Sequence, residues 1–350
     1  MPIPYRFNPM GKSNRPQAFE LVVKPGILAS SMTYGFTPSW NSGGYCSVDW
    51  GDGSREDAVK SGTAVNHTYS VAGTYKIQIN AECYQVRFDT TGKTLIDTCS
   101  KTLDKLGNLT SGERMFYVCS NATLQIKSLP KGLVNCNRMF TNCYKAEMSL
   151  SELPNMIYDG TWMFSECSKA SLRFNKLSDS LITAEGMFLN CIAAELPLTS
   201  LPSVLVNAEA MFDGCINAQL PLTSLPDGLI NAGNMFRNCV NAEIALTSLP
   251  DSLISAGGMF NGCSKSQIKL TKLPAGLTRC LWMFNGCTNA EINLDTLVAN
   301  APAEGWTKLT NISNMFNGCS KVTGSRSAFL AKCPNVTDTS DAFKGTNTTE

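Results

Sequence analysis

Cysteine and histidine are the side chains of this chain best suited to nucleophilic or metal chemistry, and their numbers differ greatly. The 350 residues hold 15 cysteines but a single histidine, His67. Zinc sites draw on cysteine pairs at C-x-x-C spacing, with histidine as the common partner, and the sequence has no such pair. Any chemistry that needs two imidazoles is excluded.

Nine of the cysteines share one sequence register, four residues after a methionine in the motif M-F-x-x-C. They are Cys119, Cys143, Cys167, Cys191, Cys215, Cys239, Cys263, Cys287 and Cys319. One interpretation is a metal ladder or a disulfide framework, and the other is a column of buried thiols that act as small hydrophobic side chains. Cys136 and Cys280 occupy a repeat position that holds alanine at Ala184 and Ala208. Because alanine can replace cysteine there, we favour the space-filling interpretation and predict neither a metal site nor a cofactor.

His67 follows a run of turn-forming residues that contains Asp49 and Asp52. With no serine or cysteine motif beside it, His67 is predicted to be structural, and we predict no catalytic residue in the chain. The two aspartates either hold a cation or cap their own turns, and capping is the commoner arrangement. A disulfide between Cys46 and Cys83 stays open, since their predicted strands can face each other.

The M-F-x-x-C motifs belong to an internal repeat of 24 residues. Met-Phe occurs eight times at this spacing, from Met115-Phe116 to Met283-Phe284. A ninth copy, Met315-Phe316, follows after 32 residues, and a degenerate Ala342-Phe343 comes 27 residues later. A fixed period of this length is typical of stacked repeats, in which one unit cannot bury its apolar face alone.

Each unit predicts a short strand followed by two turns. In residues 187–210, the stretch from Glu195 to Thr199 alternates polar and apolar residues, as expected of a strand with one buried face. Pro197 and Pro221 remove backbone donors, so the strands are expected to be very short. The S-L-P that follows predicts a turn, and the segment that ends in Met-Phe is predicted to be a helical turn. Stacking such units in parallel gives a solenoid with one short parallel strand per 24-residue coil.

Outward-facing positions of the predicted strands form two polar columns. The first column is Thr123, Glu147, Ser171, Glu195, Gln219, Glu243, Gln267 and Glu291, and the second is Thr199, Thr223, Thr247 and Thr271. From Glu147 onward glutamate alternates with a neutral residue, which separates like charges on neighbouring strands. The alternation either keeps a flat sheet soluble or forms a periodic binding face. The candidate binding residues, which we call the polar face, are Glu147, Glu195, Thr199, Gln219, Thr223, Glu243, Thr247, Gln267, Thr271 and Glu291.

From about residue 100 to the end, the M-F-x-x-C units resemble the BspA-like leucine-rich repeats of bacterial surface proteins. The resemblance implies a leucine-rich-repeat-type solenoid that acts by binding and not by catalysis. This chain differs from the usual repeat by placing alanine before the strand, as at Ala146 and Ala194, and by using S-L-P regularly.

Residues 17–90 contain no Met-Phe repeat and show a different sequence pattern. The segments from Tyr45 to Trp50 and from Thr74 to Asn80 alternate like strands, and Gly-Asp-Gly at 51–53 is turn chemistry. The run V-D-W-G-D-G-S at 48–54, with H-T-Y at 67–69 and G-T-Y at 73–75, resembles the polycystic-kidney-disease-type (PKD) immunoglobulin-like domain. That resemblance implies an all-β sandwich that serves as a spacer or adhesion module in extracellular proteins.

The predicted organisation has four parts. Residues 1–16 form an extended segment, 17–90 the immunoglobulin-like domain, 91–114 a linker with the solenoid N-cap, and 115–350 the solenoid with its C-terminal cap. The first cap is predicted to use Leu95, Ile96, Leu103, Leu106 and Leu109, because the first coil of a solenoid needs shielding. The second cap is predicted around Trp306 and residues 329–343.

Charge and hydropathy limit the partners of the chain. A formal net charge of +1 gives no basic surface for nucleic acid, and no run is apolar enough for membrane insertion. The first twenty residues show no signal-peptide pattern. Adhesive modules without an export signal favour a bacteriophage virion component, such as a head decoration, head fibre or tail-associated protein, made in the host cytoplasm. A bacterial cell-surface adhesin is the alternative. Expected partners are other virion proteins or a host-surface protein or glycan, and homo-oligomers stay open.

Overall fold

The computed structural model describes residues 18–26 and 32–350, and its first part is antiparallel β-structure in two sheets. The strands are β1 (Phe19–Val23), β2 (Thr33–Ser39), β3 (Tyr45–Asp49), β4 (Arg55–Glu56), β5 (Val65–Thr68), β6 (Tyr75–Glu82), β7 (Gln85–Arg87) and β8 (Ile96–Cys99). One sheet has the order β4-β3-β6-β1-β8, and the other has the order β5-β2-β7. These sheets agree with the predicted immunoglobulin-like fold. The extended segment predicted for residues 1–16 lies outside the described residues.

Alternating burial explains how the two sheets hold together. In β1 every second residue, beginning with Phe19, is buried, and β6 contributes Ile77 and Ile79 opposite it. Phe36 from the second sheet packs 6.0 Å from Trp50, between ring centroids. The segment 91–114, predicted as a linker, adds β8 to the edge of the first sheet, where it pairs with β1. The sandwich therefore extends into the segment that precedes the repeats.

From residue 111 onward the chain is a stack of coils that pair in parallel at the same position. The bridged residues are, in order, Ser111, Asn135, Asp159, Thr183, Asn207, Asn231, Ser255, Arg279, Asn311 and Asp338. The phenylalanines of the M-F motifs stack through the interior, with ring centroids 5.5–5.8 Å apart from Phe116 to Phe316. The buried methionine, phenylalanine, cysteine and leucine side chains form one core that is continuous with the sandwich.

The Met-Phe segment is a series of turns and not the predicted helical turn. In the first coil Gly112, Arg114, Phe116 and Val118 each donate their backbone N–H to the next coil, at 2.8 Å. Two residues of each such segment have positive φ. One directly precedes the methionine, such as Arg114 with a φ of 53°, and the other is three residues after the methionine, such as Val118 with a φ of 59°. Left-handed residues at this spacing turn alternate N–H groups towards the neighbouring coil, whereas a helix directs them along its own axis. The sequence signal for this is the asparagine or glycine at Asn142, Asn190, Gly214, Asn238, Gly262, Gly286 and Gly318.

The prediction of one regular strand per coil is wrong for most of the described coils. Among the described coils, only two pairs of regular parallel strands form. They are β9 (Ser149–Leu150) with β10 (Ser171–Leu172), and β11 (Thr323–Ser325) with β12 (Asn347–Thr349). Elsewhere one or two backbone hydrogen bonds join the coils at this position, such as the bond from Glu195 N–H to the Leu172 carbonyl at 2.9 Å. Pro197 and Pro221 lack the N–H that would extend the ladder, and Leu220 has a φ of 44°. The predicted buried face of the alternating stretch is confirmed.

The first coil is closed by the sandwich itself. Phe88, directly after β7, stacks on Phe116 with ring centroids 5.0 Å apart, and its N–H donates to the Met115 carbonyl at 2.7 Å. Phe88 thus takes the place that a preceding coil would supply. Leu103 and Leu106, two of the residues predicted for the cap, are fully buried and belong to the same core.

The last coils are closed by two short helices, α1 (Leu294–Ala299) and α2 (Arg326–Ala331). Trp306, around which the second cap is predicted, is fully buried and packs 5.4 Å from Phe329, between ring centroids. The Thr346 hydroxyl donates to the Phe343 carbonyl at 2.7 Å, where a further coil would place a cysteine thiol. Over the described residues, no helix is both long and apolar enough to cross a bilayer.

Replacing Val118 with asparagine is expected to stabilise the protein. Val118 is β-branched and left-handed, and left-handed backbone costs an ordinary residue about 1–2 kcal/mol. V118N should therefore raise the free energy of unfolding by about 1 kcal/mol in urea denaturation. Val240→Asn, at a turn position without positive φ, is the control. An equal gain from V240N would contradict the backbone explanation.

Candidate interaction surfaces

All ten residues of the polar face are exposed, and they lie in two columns along one side of the stack. The backbone holds the first column in register, because the N–H groups of its glutamates donate to the preceding coil. Glu147 donates to Leu124 at 2.9 Å, and Glu291 donates to Ile268 at 2.9 Å. The structure therefore brings the predicted residues together as a regular surface.

Cations from the neighbouring outward position compensate some glutamates of the polar face. Arg173 lies 3.5 Å from Glu195, and Lys269 lies 2.8 Å from Glu291, between side-chain nitrogen and oxygen. Hydrogen bonding and charge from Lys269, with a smaller contribution from Lys321, lower the pKa of Glu291. Repulsion between the glutamates is therefore reduced in two ways. Neutral residues alternate with them along the column, and ion pairs with lysine and arginine compensate their charge.

Between these ion pairs the polar face carries small side chains. Between its two columns lie Pro197, Pro221 and Ala245, and a serine follows each threonine in the pairs Thr199-Ser200, Thr223-Ser224 and Thr247-Ser248. Hydroxyls act as both donors and acceptors, and here they recur once per coil. Such a face can bind an extended or repetitive ligand by hydrogen bonds.

The nine M-F-x-x-C cysteines form a buried column in which each thiol faces a carbonyl acceptor of the preceding coil. Cys215 donates to the Phe188 carbonyl, and Cys239 donates to the Phe212 carbonyl, each at 2.9 Å. Burial raises the pKa of these thiols, to about 12 at Cys263. The predicted burial is confirmed, but the thiols are also hydrogen-bond donors, which explains why alanine does not replace them. A protonated thiol is a poor nucleophile and a poor metal ligand.

The remaining cysteines give no sign of a metal or a bridge. Cys46 and Cys83, whose pairing the sequence leaves open, are separate buried thiols, and burial raises the pKa of each to about 12. Within residues 18–26 and 32–350, no group of three or more histidine, cysteine and acidic side chains is arranged to hold a metal ion.

His67 belongs to a turn cluster in the sandwich. Its Nε2 lies 2.7 Å from Asp52 Oδ2 and 3.4 Å from the Ser54 hydroxyl. Both partners face the same nitrogen, so the ring does not connect them in series as a proton relay would. The Ser54 hydroxyl, more than the charge of His67, lowers the pKa of Asp52 to about 2. Asp52 and Asp49 accept the backbone N–H two residues on, at 3.0 and 2.9 Å, and so cap their turns as predicted.

A second regular surface consists of apolar side chains. We call it the apolar ridge, and its members, one in each of six successive coils, are Val134, Tyr158, Ile182, Val206, Ile230 and Ile254. From Tyr158 to Ile254 they are 36–47% exposed. Sequence reasoning missed this surface, because each member directly follows a buried leucine or isoleucine and looks like part of the core. The repeat register, which keeps it one residue beyond the buried position, is the available signal.

Comparison with known protein families gives a match in the N-terminal part of the chain. The family model of the PKD domain matches residues 6–83, which confirms the resemblance of the N-terminal module. A leucine-rich repeat protein from Bacteroides ovatus ATCC 8483 is a similar solved structure, at 15% identity and a TM-score of 0.26. That match covers 77% of this chain and 96% of the other. No protein of curated function matches the chain. The PKD match agrees with the two antiparallel sheets of the sandwich.

Proposed function

We propose that this chain is a non-enzymatic interaction protein whose coils form a leucine-rich-repeat-type solenoid that displays the polar face. One contrast carries the proposal. The repeated thiols, which could act as nucleophiles, are buried and held protonated, whereas the repeated residues of the polar face are exposed glutamate, glutamine and threonine. Such side chains bind through hydrogen bonds, and the parallel bridges between coils hold them in register. No cofactor is needed for this role.

The setting that we propose is a bacteriophage particle, with this chain as a head decoration, head fibre or tail-associated protein. The thiol-to-carbonyl bonds need reduced cysteines, and a reducing cytoplasm supplies them while the protein folds. A virion protein folds there and reaches the outside when the particle is released. In this proposal the sandwich attaches to other virion proteins, and the polar face contacts a protein or glycan of the host surface.

A bacterial cell-surface adhesin is the second candidate, and the PKD match favours it because the resemblance implies an extracellular spacer. Mass spectrometry of gradient-purified particles and of cell envelopes from the source organism separates the two. We expect the chain in constant ratio to the capsid proteins. Recovery with the envelope alone would favour the adhesin, and recovery with neither would contradict both.

Adding positive charge to the polar face is expected to abolish surface contact. The triple variant T199K/T223K/T247K places three long cations on adjacent coils, where they prevent close approach of a ligand. Binding of the labelled full chain to host cells should fall at least tenfold, as measured by flow cytometry. The control is A193K/N217K/N241K, which adds the same charges to the same coils in another column. Equal losses in both variants would show that the polar face is not the binding surface.

A further inference from the structure

The apolar ridge is a ladder of side chains whose backbones are hydrogen-bonded from one coil to the next. The N–H of each member from Tyr158 to Ile254 donates to the carbonyl of the previous member at 2.9 Å. The positions continue as Thr110 before the ridge and as Thr278 and Thr310 after it. The apolar character is therefore confined to six coils in the middle of a longer ladder, and the polar ends set its length.

The size of this surface fits a macromolecular contact. Met156 and Val204, each two residues before a ridge member, are 58% and 46% exposed and widen it. Applied to ordinary side-chain areas, these exposed fractions give a continuous apolar surface on the order of 500 Å². A stable dimer buries about 800 Å² on each partner, with an apolar centre and a polar rim. The ridge supplies such a centre.

We propose that the apolar ridge pairs with the ridge of a second copy of this chain, in antiparallel orientation. In a two-fold interface the same surface patch of both copies is in contact, and every contact between two different residues occurs twice. The patch must therefore be complementary to itself. Similar side chains at one-coil spacing can interdigitate with their own copy. The antiparallel arrangement places the first coil of one ridge against the last coil of the other.

The charges beside the ridge favour this orientation. Lys131 precedes the first member by three residues, and Asp251 precedes the last member by three. Antiparallel pairing brings Lys131 of one copy opposite Asp251 of the other, at both ends of the interface. Asp251 already contacts Lys272 at 2.8 Å, but both side chains are well exposed, and such pairs hold their geometry weakly. At the centre, Asp179 falls opposite the neutral Ser203.

Sedimentation equilibrium of the reduced full chain, from about 1 to 100 µM, tests the proposal. We expect a mass twice the 37.9 kDa of one chain. I182K/V206K puts charge at the centre of the ridge and should weaken dimerisation at least 100-fold, with an unchanged circular dichroism spectrum. The matched control is I192K/I216K. It alters two isoleucines of another column that are 44% and 39% exposed, and it should leave the dimer intact.

A charge exchange tests the orientation. K131D should weaken the dimer about tenfold, and K131D/D251K should restore it to within about threefold, since each end again pairs opposite charges. A monomeric wild-type chain at 100 µM overturns the proposal and leaves the ridge as a ladder within one chain. A dimer that survives I182K/V206K, or the absence of rescue in the exchange variant, overturns it as well. The measurement uses the purified chain alone, so its outcome is independent of the proposed binding function.

Discussion

Replacing Phe212 with alanine is expected to lower the free energy of unfolding by about 3–5 kcal/mol. Phe212 is fully buried, and its ring lies 5.7 Å from those of Phe188 and Phe236, within 6° of parallel. Alanine removes both contacts and leaves a cavity in the middle of the stack. The hydrogen bonds between coils fix their spacing, so the neighbouring rings cannot move in to fill it. Urea denaturation followed by circular dichroism measures the loss.

Two controls separate the ring stack from general loss of volume. Phe212→Leu keeps most of the side chain and should cost about 1 kcal/mol. Phe343→Ala acts at the end of the stack, where the ring is 9% exposed and has one parallel neighbour, so it should cost clearly less than F212A. Because each coil contacts only its neighbours, F212A is also expected to separate the unfolding of the two halves. A loss from F343A as large as that from F212A would contradict the continuous stack.

The sequence alone predicts the period of the coils and their buried face, because both are local patterns. Alternation around Leu196 and Leu198 marks the inner side, and M-F-x-x-C marks the register. The form of the Met-Phe turn does not follow from hydrophobic spacing. Four-residue spacing suits a helix, and only the backbone shows left-handed residues at Asn190 or Gly214. The asparagine and glycine at that position indicate it once the repeats are aligned with one another.

The two surfaces also differ in how far the sequence predicts them. The polar face is predictable, because alternation assigns every second side chain to the outside. Its compensation by Arg173 and Lys269 depends on contacts between coils, which a single unit does not reveal. The exposure of Ile182 is equally hidden, since an isoleucine beside the buried Leu181 reads as core. Long-range contacts of this kind also determine how the sandwich is joined to the stack.

Replacing Asp89 with asparagine is expected to lower the free energy of unfolding by about 2–4 kcal/mol. The Asp89 carboxylate is fully buried, and Arg87 at the end of β7 binds both of its oxygens, at 3.0 and 3.1 Å. Arg114, in the first coil, donates to the same carboxylate at 2.8 Å. Asparagine has the same size but no charge, so two neighbouring guanidinium groups lose their shared counter-ion. The contact that joins the sandwich to the coils is then weakened by charge repulsion.

Asp213→Asn is the matched control, because it removes a buried carboxylate at a different place in the structure. Asp213 is also a buried carboxylate, bound by Arg237 at 2.5 and 3.0 Å, but it lies inside the stack. Both variants should lose stability, since each leaves arginine without its partner. Only D89N should accelerate tryptic cleavage between residues 90 and 114, at least tenfold, because only that pair closes the junction. Equal acceleration in both variants, or in neither, would show that the Asp89 cluster stabilises the core in general and does not fasten the sandwich to the first coil.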